Sequence, residues 1–298
     1  MISVFSFFRS HFLKRTWIFL CFVAFFCGLM IPKLPFLAKK NLLTPTTVES
    51  NEFRSQPVSE DLFPILASSD DPGRFLGIYW LETRFQADPH ALHTCLTALD
   101  HSGEPTAFSV KEYEPHWKNL PDWNEYLKLC RAIWNDLRYF PVAASSDRPD
   151  YTVTFENSWQ YERTYGGERH HEGTDIMASV NQRGIYPIIS MTDGTIQNLG
   201  WLELGGYRIG IRSPHGGYFY YAHLASYEKY FQTGEAVEAG QILGFMGDTG
   251  YGEEGMSGKF PVHLHLGIYI NPQGKGEMSV NPYYVLRAME KKVKKYTY

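Results

Sequence analysis

The second half of the chain alternates short runs of aromatic and β-branched residues with glycine-containing turns, and this pattern constrains the fold most strongly. Typical runs are Tyr207–Arg212 and His263–Ile270, and a typical turn is Asp193-Gly194. Short runs of this composition between such turns are typical of antiparallel strands. The sequence therefore predicts a mainly antiparallel all-β domain over residues 150–298, folded as a compact sandwich or a partly open barrel.

Residues 74–149 show helical periodicity instead. The clearest case is residues 122–138, where apolar side chains recur at steps of three and four after a capping pattern. Further helices are expected over Ala91–Leu99 and around Phe75–Phe85. No set of metal-ligating or catalytic side chains stands out in this region. We therefore predict a small acidic α-helical module whose role the sequence leaves open.

The first forty residues have the features of a membrane-targeting segment. They carry six basic side chains, no acidic one, and the uncharged apolar run Trp17–Ile31 of 15 residues. A spanning helix needs about 20 residues, and the apolar residues within Pro32–Ala38 extend the run. We predict a signal anchor with a transmembrane helix within residues 1–40, because no clear cleavage site follows the run. A cleaved signal peptide is the alternative.

Such an anchor would place residues 41–298 outside the cytoplasm. Residues 41–73 are polar and contain several Pro and Ser residues, so we expect a linker there. Cys95 and Cys130 would be the cysteines outside the membrane, and either a disulfide between them or two buried thiols is expected. The net charge of −4 gives no reason to expect a nucleic-acid partner.

Six of the eleven histidines lie in the predicted β domain, in three local patterns that can support metal chemistry. First, His171 and Asp175 flank a glycine-containing turn, and imidazole nitrogens and carboxylate oxygens are both good zinc ligands. Second, His263 and His265 alternate in a predicted strand, so their side chains lie on one face. Third, His223 ends another predicted strand. Each pattern alone also fits a surface loop or a structural histidine, but their order within one domain favours metal chemistry.

The three patterns together resemble the lysostaphin/LytM-type zinc metallopeptidases, which are peptidoglycan endopeptidases with the duplicated-hybrid-motif fold. The resemblance covers residues 165–284 and rests on the order of the motifs and of the glycines between them. It includes nothing about the helical module. The matching motifs are His171-x-Gly-x-Asp175, Tyr221-Ala-His223-Leu224 and His263-Leu-His265-Leu266.

The resemblance implies that His171, Asp175 and His265 bind zinc and that His223 and His263 form the catalytic pair. Two imidazoles and one carboxylate leave a fourth position on the ion for water, whose pKa the ion lowers toward about 7. His263 is then the expected general base, or at least the residue that orients the water. His223 is expected to stabilise the oxyanion or to protonate the leaving amine. No other cofactor is implied.

The implied function is zinc-dependent hydrolysis of peptide cross-links in bacterial peptidoglycan. The alternative is a non-hydrolytic LytM-type scaffold or an activator of other cell-wall hydrolases, although all five motif residues are present. One departure from the family pattern is the long segment Tyr251–Pro261, which we interpret as a mobile rim of the cleft. Besides the peptidoglycan peptide and the membrane, no partner follows from the sequence.

Overall fold

The computed structural model describes residues 41–85, 110–165 and 167–298. Residues 45–298 form one compact unit. The predicted signal anchor, the helix predicted over Ala91–Leu99, and Cys95 lie outside the described residues. Within the described ranges, the structure contains no helix that is both long enough and apolar enough to cross a membrane.

The helical module is built mainly from two helices that pack against each other, and single 3₁₀ turns connect several of the elements. The two 12-residue helices confirm the helical pattern around residues 75–85 and 122–138. The helices are α1 Asn51–Arg54, α2 Phe63–Ser68, α3 Pro72–Thr83, α4 Val110–Tyr113, α5 Trp123–Trp134 and α6 Tyr283–Met289.

Helices α3 and α5 approach closely because α3 carries glycine at the contact. A Cβ atom on Gly73 would lie 2.6 Å from the backbone of Arg131, so no other residue fits there without movement. The Tyr126 hydroxyl donates a hydrogen bond to the Gly77 carbonyl at 2.9 Å. Cys130 lies in this interface as a fully buried free thiol, which matches one of the two expectations for it.

The segment expected to be a linker differs from that expectation in the structure. Phe53 of α1 is fully buried, with its ring 6.1 Å from Trp80 and 5.6 Å from Tyr126. The Trp134 indole donates to the Gln56 side chain at 2.8 Å. Apolar residues in this segment are widely spaced and follow neither a helical nor a strand period. The polar composition therefore indicated a linker, although the segment is packed against the helices. The division of the chain into domains stays a prediction.

The predicted mainly antiparallel β domain is confirmed. The strands are β1 Ala144–Ser145, β2 Val153–Phe155, β3 Glu162–Arg163, β4 Arg169–His170, β5 Gly173–Ala178, β6 Pro187–Ile189, β7 Gly194–Leu202, β8 Gly206–Arg212, β9 Tyr218–Tyr227, β10 Ala236–Val237, β11 Ile242–Met246, β12 His263–Ile270, β13 Met278–Val280 and β14 Lys295–Tyr296. The large sheet has the order β10-β7-β8-β9-β12-β5-β2, with β11 pairing β9 and β6, and with β13 pairing β12. This order has two ends, so the described sheet does not close on itself.

The central strands separate a buried face from a face that lines a groove. Tyr221, Leu264 and Leu266 belong to the core and are fully buried, while Tyr220 and His265 line the groove. Neighbouring residues of a strand point to opposite faces, which explains this division. We call the second face of β8, β9, β12 and β5 the groove face.

The helical module packs against the β domain. Asp136, which follows α5, accepts a hydrogen bond from the backbone N–H of His215 at 2.7 Å. The other carboxylate oxygen of Asp136 lies 2.7 Å from His215 Nδ1. A Cβ atom on Gly217 would lie 2.0 Å from the Ala132 carbonyl oxygen, so the turn between β8 and β9 touches α5 directly. The module is therefore anchored to the sheet rather than tethered to it by a flexible segment.

Candidate metal centre and active site

Three side chains converge at the junction of β5 and β12. Asp175 and His265 pair directly opposite each other in the two antiparallel strands, and His171 lies just before β5. His171 Nε2 is 2.9 Å from His265 Nδ1, and Asp175 Oδ1 is 3.1 Å from each of these nitrogens. These three residues form a group that could hold a metal ion.

Hydrogen bonds outside the group fix the orientation of two of its members. His171 Nδ1 lies 3.0 Å from the Ser158 carbonyl oxygen. Because a carbonyl can only accept, Nδ1 carries the proton and Nε2 presents its lone pair. The other carboxylate oxygen of Asp175 accepts a hydrogen bond from Arg163 at 2.7 Å. Partners of this kind typically orient metal-ligating side chains.

The charges within the group suit a cation. Burial opposes the charged form of Asp175, but the neighbouring imidazoles of His171 and His265 hold the pKa of its carboxyl far below the usual range. Burial lowers the pKa of His265, which favours its neutral form. A metal ligand must be deprotonated, and both residues meet that condition.

His223 reaches the same site through an irregularity in β9. Tyr207 pairs with Leu224 and Ile209 pairs with Tyr221, so β9 holds one residue more than β8 between the two pairs. Within this bulge His223 has a φ of 63°, which is uncommon for a residue other than glycine. The bulge turns the His223 ring toward the groove, where it stands 6.0 Å from the ring of His265.

His223 and His263 form a pair beside the three convergent side chains, with 4.8 Å between their ring centroids. Their Nδ1 atoms lie 2.7 Å from the Thr249 carbonyl oxygen and 2.8 Å from the Pro261 carbonyl oxygen, respectively. Each Nδ1 therefore donates, and each Nε2 is free to exchange a proton. Burial, followed by the nearby imidazoles, lowers the pKa of His223 well below its ordinary value.

The five predicted site residues thus lie together in one open groove of about 860 Å³. Gly173 makes room for the His265 ring, because a Cβ atom there would lie 2.7 Å from its Nε2. Tyrosines cover much of the remaining wall. The aromatic lining residues are Tyr218, Tyr220, Tyr251, Phe260 and Tyr269.

Tyr251 and Phe260 place the segment Tyr251–Pro261 at one rim of the groove, while its mobility stays a prediction. The Tyr251 ring stacks on Tyr165 at 4.2 Å, and the Tyr165 hydroxyl donates to the Tyr251 carbonyl at 2.7 Å. Lys259 also donates to that carbonyl, at 2.6 Å. Phe260 closes the rim onto His223, with 4.7 Å between the ring centroids.

Several residues of the groove were not anticipated from the sequence. Arg163 bonds Asp175 from β3, Arg54 enters the groove from α1, and Arg208 lines it from β8. Each is an isolated arginine with no motif around it, so the sequence offered no signal. Glu172 lies beside Tyr269, at 3.4 Å from its hydroxyl, and His170 lies on the wall of the groove.

The fold and the convergent side chains define a β-sheet peptidase with a candidate metal centre, and comparisons with known proteins agree. The model of the LytM N-terminal domain matches residues 38–136, and the model of peptidase family M23 matches residues 169–282. A solved structure of a candidate glycyl-glycine endopeptidase LytM from Ruminococcus gnavus ATCC 29149 is 47% identical, with a TM-score of 0.74 over 86% of this chain and 97% of that one. The chain therefore belongs to peptidase family M23 and carries a LytM N-terminal domain.

Two curated relatives are similar over shorter stretches. The L-Ala–D-Glu endopeptidase of Bacillus subtilis (strain 168) is 42% identical over 171 residues, which is 56% of this chain and 49% of that enzyme. Lysostaphin of Staphylococcus simulans is 31% identical over 103 residues, which is 34% of this chain and 18% of that protein. The matched part thus spans half or less of the length of these relatives.

Proposed function

We propose that this protein is a zinc-dependent endopeptidase that hydrolyses peptide bonds of bacterial peptidoglycan. The observation that carries the proposal is the convergence of His171, Asp175 and His265 beside the pair His223 and His263. A scaffold that only binds the cell wall would not need two free imidazole nitrogens next to a metal-ligating group.

The donor set fits zinc. In a tetrahedral zinc site with bonds of about 2.0–2.1 Å, the ligand atoms lie about 3.3 Å apart. The three candidate ligand atoms of His171, Asp175 and His265 are 2.9–3.1 Å apart, and a small outward movement of the side chains would reach that spacing. At most one proton, on His265 Nδ1, can lie between these atoms, because Asp175 can only accept and His171 presents a lone pair. One proton cannot satisfy all three contacts, whereas a cation bound between the three atoms would.

When bound there, zinc supplies Lewis acidity that polarises a peptide carbonyl and activates water. The other parts of the reaction fall to the chain itself. We assign His263 as the general base, because its free Nε2 lies 3.7 Å from Asp175 Oδ1 and therefore faces the site. His223 faces the same space from the opposite strand. Since burial favours its neutral form, His223 can donate a proton to the leaving amine only after Nε2 has received one, and the proton that His263 takes from the water is the one available.

The choice of peptidoglycan as substrate rests on the relatives. The Bacillus subtilis relative is named for an L-Ala–D-Glu bond, and another relative, from Staphylococcus capitis, is named a glycyl-glycine endopeptidase. The open groove suits a peptide that is attached to a large polymer, because such a substrate must enter from the side. We also propose that the predicted anchor within residues 1–40 holds the peptidase domain outside the cytoplasm, where this substrate lies.

The test is a digest of purified peptidoglycan by the full chain, purified in detergent and loaded with zinc, followed by mass spectrometry. We expect new peptide ends with the wild-type protein and none with His263→Ala, and the masses identify the cleaved bond. If the folded, zinc-loaded wild-type protein releases no ends, the proposal fails. A non-hydrolytic scaffold or an activator of other hydrolases would then be the better interpretation.

A further inference from the structure

An arginine on the groove face has a buried side-chain nitrogen that no group in the described part of the chain satisfies. The Nη1 atom of Arg208 is buried and makes no hydrogen bond, although Arg208 lines the groove. A charged donor removed from water without a partner is costly, and native structures rarely leave one unless something else binds it. This makes Arg208 the exception among the groove's arginines.

The other arginines of the groove are engaged. Arg163 donates to Asp175, and Arg54 donates to the Ser279 side chain and backbone. Arg169 donates to the Tyr165 carbonyl and to the Tyr251 hydroxyl. Their hydrogen-bonding capacity is used to hold the walls of the groove together, so they are less suited than Arg208 to bind a substrate.

The acidic groups that face the groove do not neutralise Arg208 either. Glu277 pairs with Arg212, and Asp175 belongs to the candidate metal centre. Glu172 lies beside the Tyr269 hydroxyl. Among the groove arginines that the structure describes, Arg208 is therefore the one with a buried donor nitrogen left without an acceptor.

The strand register places Arg208 in line with the metal centre. Arg208 in β8 lies opposite the bulge that contains Ala222, Ala222 pairs with His265 in β12, and His265 pairs with Asp175 in β5. Two strand spacings separate β8 from β12, which is about 10 Å. An extended peptide advances about 3.3 Å per residue. A substrate lying across the strands would therefore meet Arg208 within about three residues of the bond to be cleaved.

We propose that Arg208 is a specificity-determining residue that binds a free carboxylate of the substrate peptide, close to the cleaved bond. This inference rests on the proposed function and narrows its substrate to acidic peptides, as opposed to bridges made only of glycine. A planar guanidinium matches a carboxylate through two parallel hydrogen bonds. Tyr220 lines the same face of the groove from β9, so its hydroxyl is a second group that can donate a hydrogen bond there.

The experiment compares two synthetic peptides, one that contains L-Ala–D-Glu and a matched one with D-Gln in place of D-Glu. For the full, zinc-loaded chain we expect kcat/KM to be about 10- to 100-fold higher for the D-Glu peptide. Arg208→Gln should reduce this ratio to near one. Arg169→Gln removes a charge from the same groove and should keep the ratio, because Arg169 is already engaged.

A binding measurement separates this inference from the proposed function. In the His263→Ala background, titration calorimetry should show tighter binding of the D-Glu peptide and loss of that advantage on adding Arg208→Gln. The inference is overturned if the wild-type protein has the same kcat/KM for both peptides, or if it cuts peptidoglycan but binds neither peptide. It is also overturned if Arg169→Gln reduces the preference for the D-Glu peptide as much as Arg208→Gln does. If peptidoglycan is not cut at all, the proposed function fails, and the calorimetry still decides the role of Arg208.

Discussion

The helical module and the metal centre use their polar side chains in opposite ways. In the module, Asp71 caps α3 by accepting from the Arg74 N–H at 3.1 Å and also pairs with Arg131 at 2.6 Å. Arg74 in turn pairs with Glu114, so these charges meet their complements within the module. In the metal centre, His171, Asp175 and His265 instead bring acceptor atoms together with no complementary charge among them.

The difference shows how polar residues that stabilise the fold can be distinguished from polar residues that take part in chemistry. Polar groups that serve the fold satisfy each other, because an unpaired buried group destabilises the protein. Groups that serve chemistry are held in place by partners behind them, such as Ser158 behind His171, while their reactive atoms face a common point. Four substitutions or conditions test this contrast, in decreasing order of expected effect.

Removing a ligand should have the largest effect, and mainly on chemistry. We expect His265→Ala to lose bound zinc and to lower peptidase activity by about 10⁴-fold, because the barrier reduction that the metal supplies is several kcal/mol. Circular dichroism should remain that of the wild type. Zinc content can be measured by inductively coupled plasma mass spectrometry. One equivalent of zinc in the folded variant would contradict the assignment of the metal centre.

Removing the proposed base should affect turnover without affecting the metal. His263→Ala is expected to bind one zinc and to lose activity by about 10³-fold, which is a typical contribution of a positioned base. The measurement pairs zinc content with kcat/KM on peptidoglycan fragments. Loss of zinc from this variant would mean that the ligand and the base have been exchanged in our assignment.

A change in the module should act on stability instead. Gly73→Val forces side-chain atoms against the Arg131 backbone and should cost about 1–3 kcal/mol of unfolding free energy. Zinc affinity and kcat/KM at 20 °C should remain close to the wild type. Chemical denaturation and activity assays on the same preparation check both points. A large drop in activity with unchanged stability would show that the module participates in catalysis.

The smallest effect is expected from the charge of Asp71. Burial opposes that charge, but bonds from Arg131, Asn135 and the Arg74 N–H lower the pKa of Asp71 in the folded protein. Its stabilisation is therefore complete above the unfolded-state pKa of about 4 and is lost as pH falls toward the folded-state value. Asp71→Asn should cost less than about 1 kcal/mol at pH 7. Denaturation of the wild type and the variant between pH 7 and pH 3 measures the difference in their free energies of unfolding. This difference should shrink at acidic pH. A constant difference would show that the charge of Asp71 does not cause it.

Two relations within the candidate site are local, so the sequence could predict which side chains lie together there. Strand alternation puts His263 and His265 on one face, and the short spacing brings His171 near Asp175. The position of His223 was available only through the resemblance, since its orientation depends on a bulge and a positive φ that strand periodicity does not predict. The sequence could not predict that the carbonyls of Ser158, Thr249 and Pro261 orient the histidines, because every residue has a carbonyl.

The helical module was predicted in its two long helices and misjudged in the segment before them. Helix α5 has a clear amphipathic pattern, which reflects one face packed against α3. Phe53 and Gln56 belong to no such pattern, because their burial depends on contacts with Trp80 and Trp134, which are distant in sequence. Long-range packing of this kind cannot be derived from the composition of a short segment.

The central claim is that His171, Asp175 and His265 hold the catalytic zinc while His223 and His263 remain free of it. The most direct test is a crystal structure of the zinc-loaded protein with anomalous diffraction recorded at the zinc edge. We predict one strong peak at about 2.0–2.2 Å from His171 Nε2, Asp175 Oδ1 and His265 Nδ1. A peak bonded to His223 or His263 in place of any of these three atoms, or no peak at this site, would contradict the account.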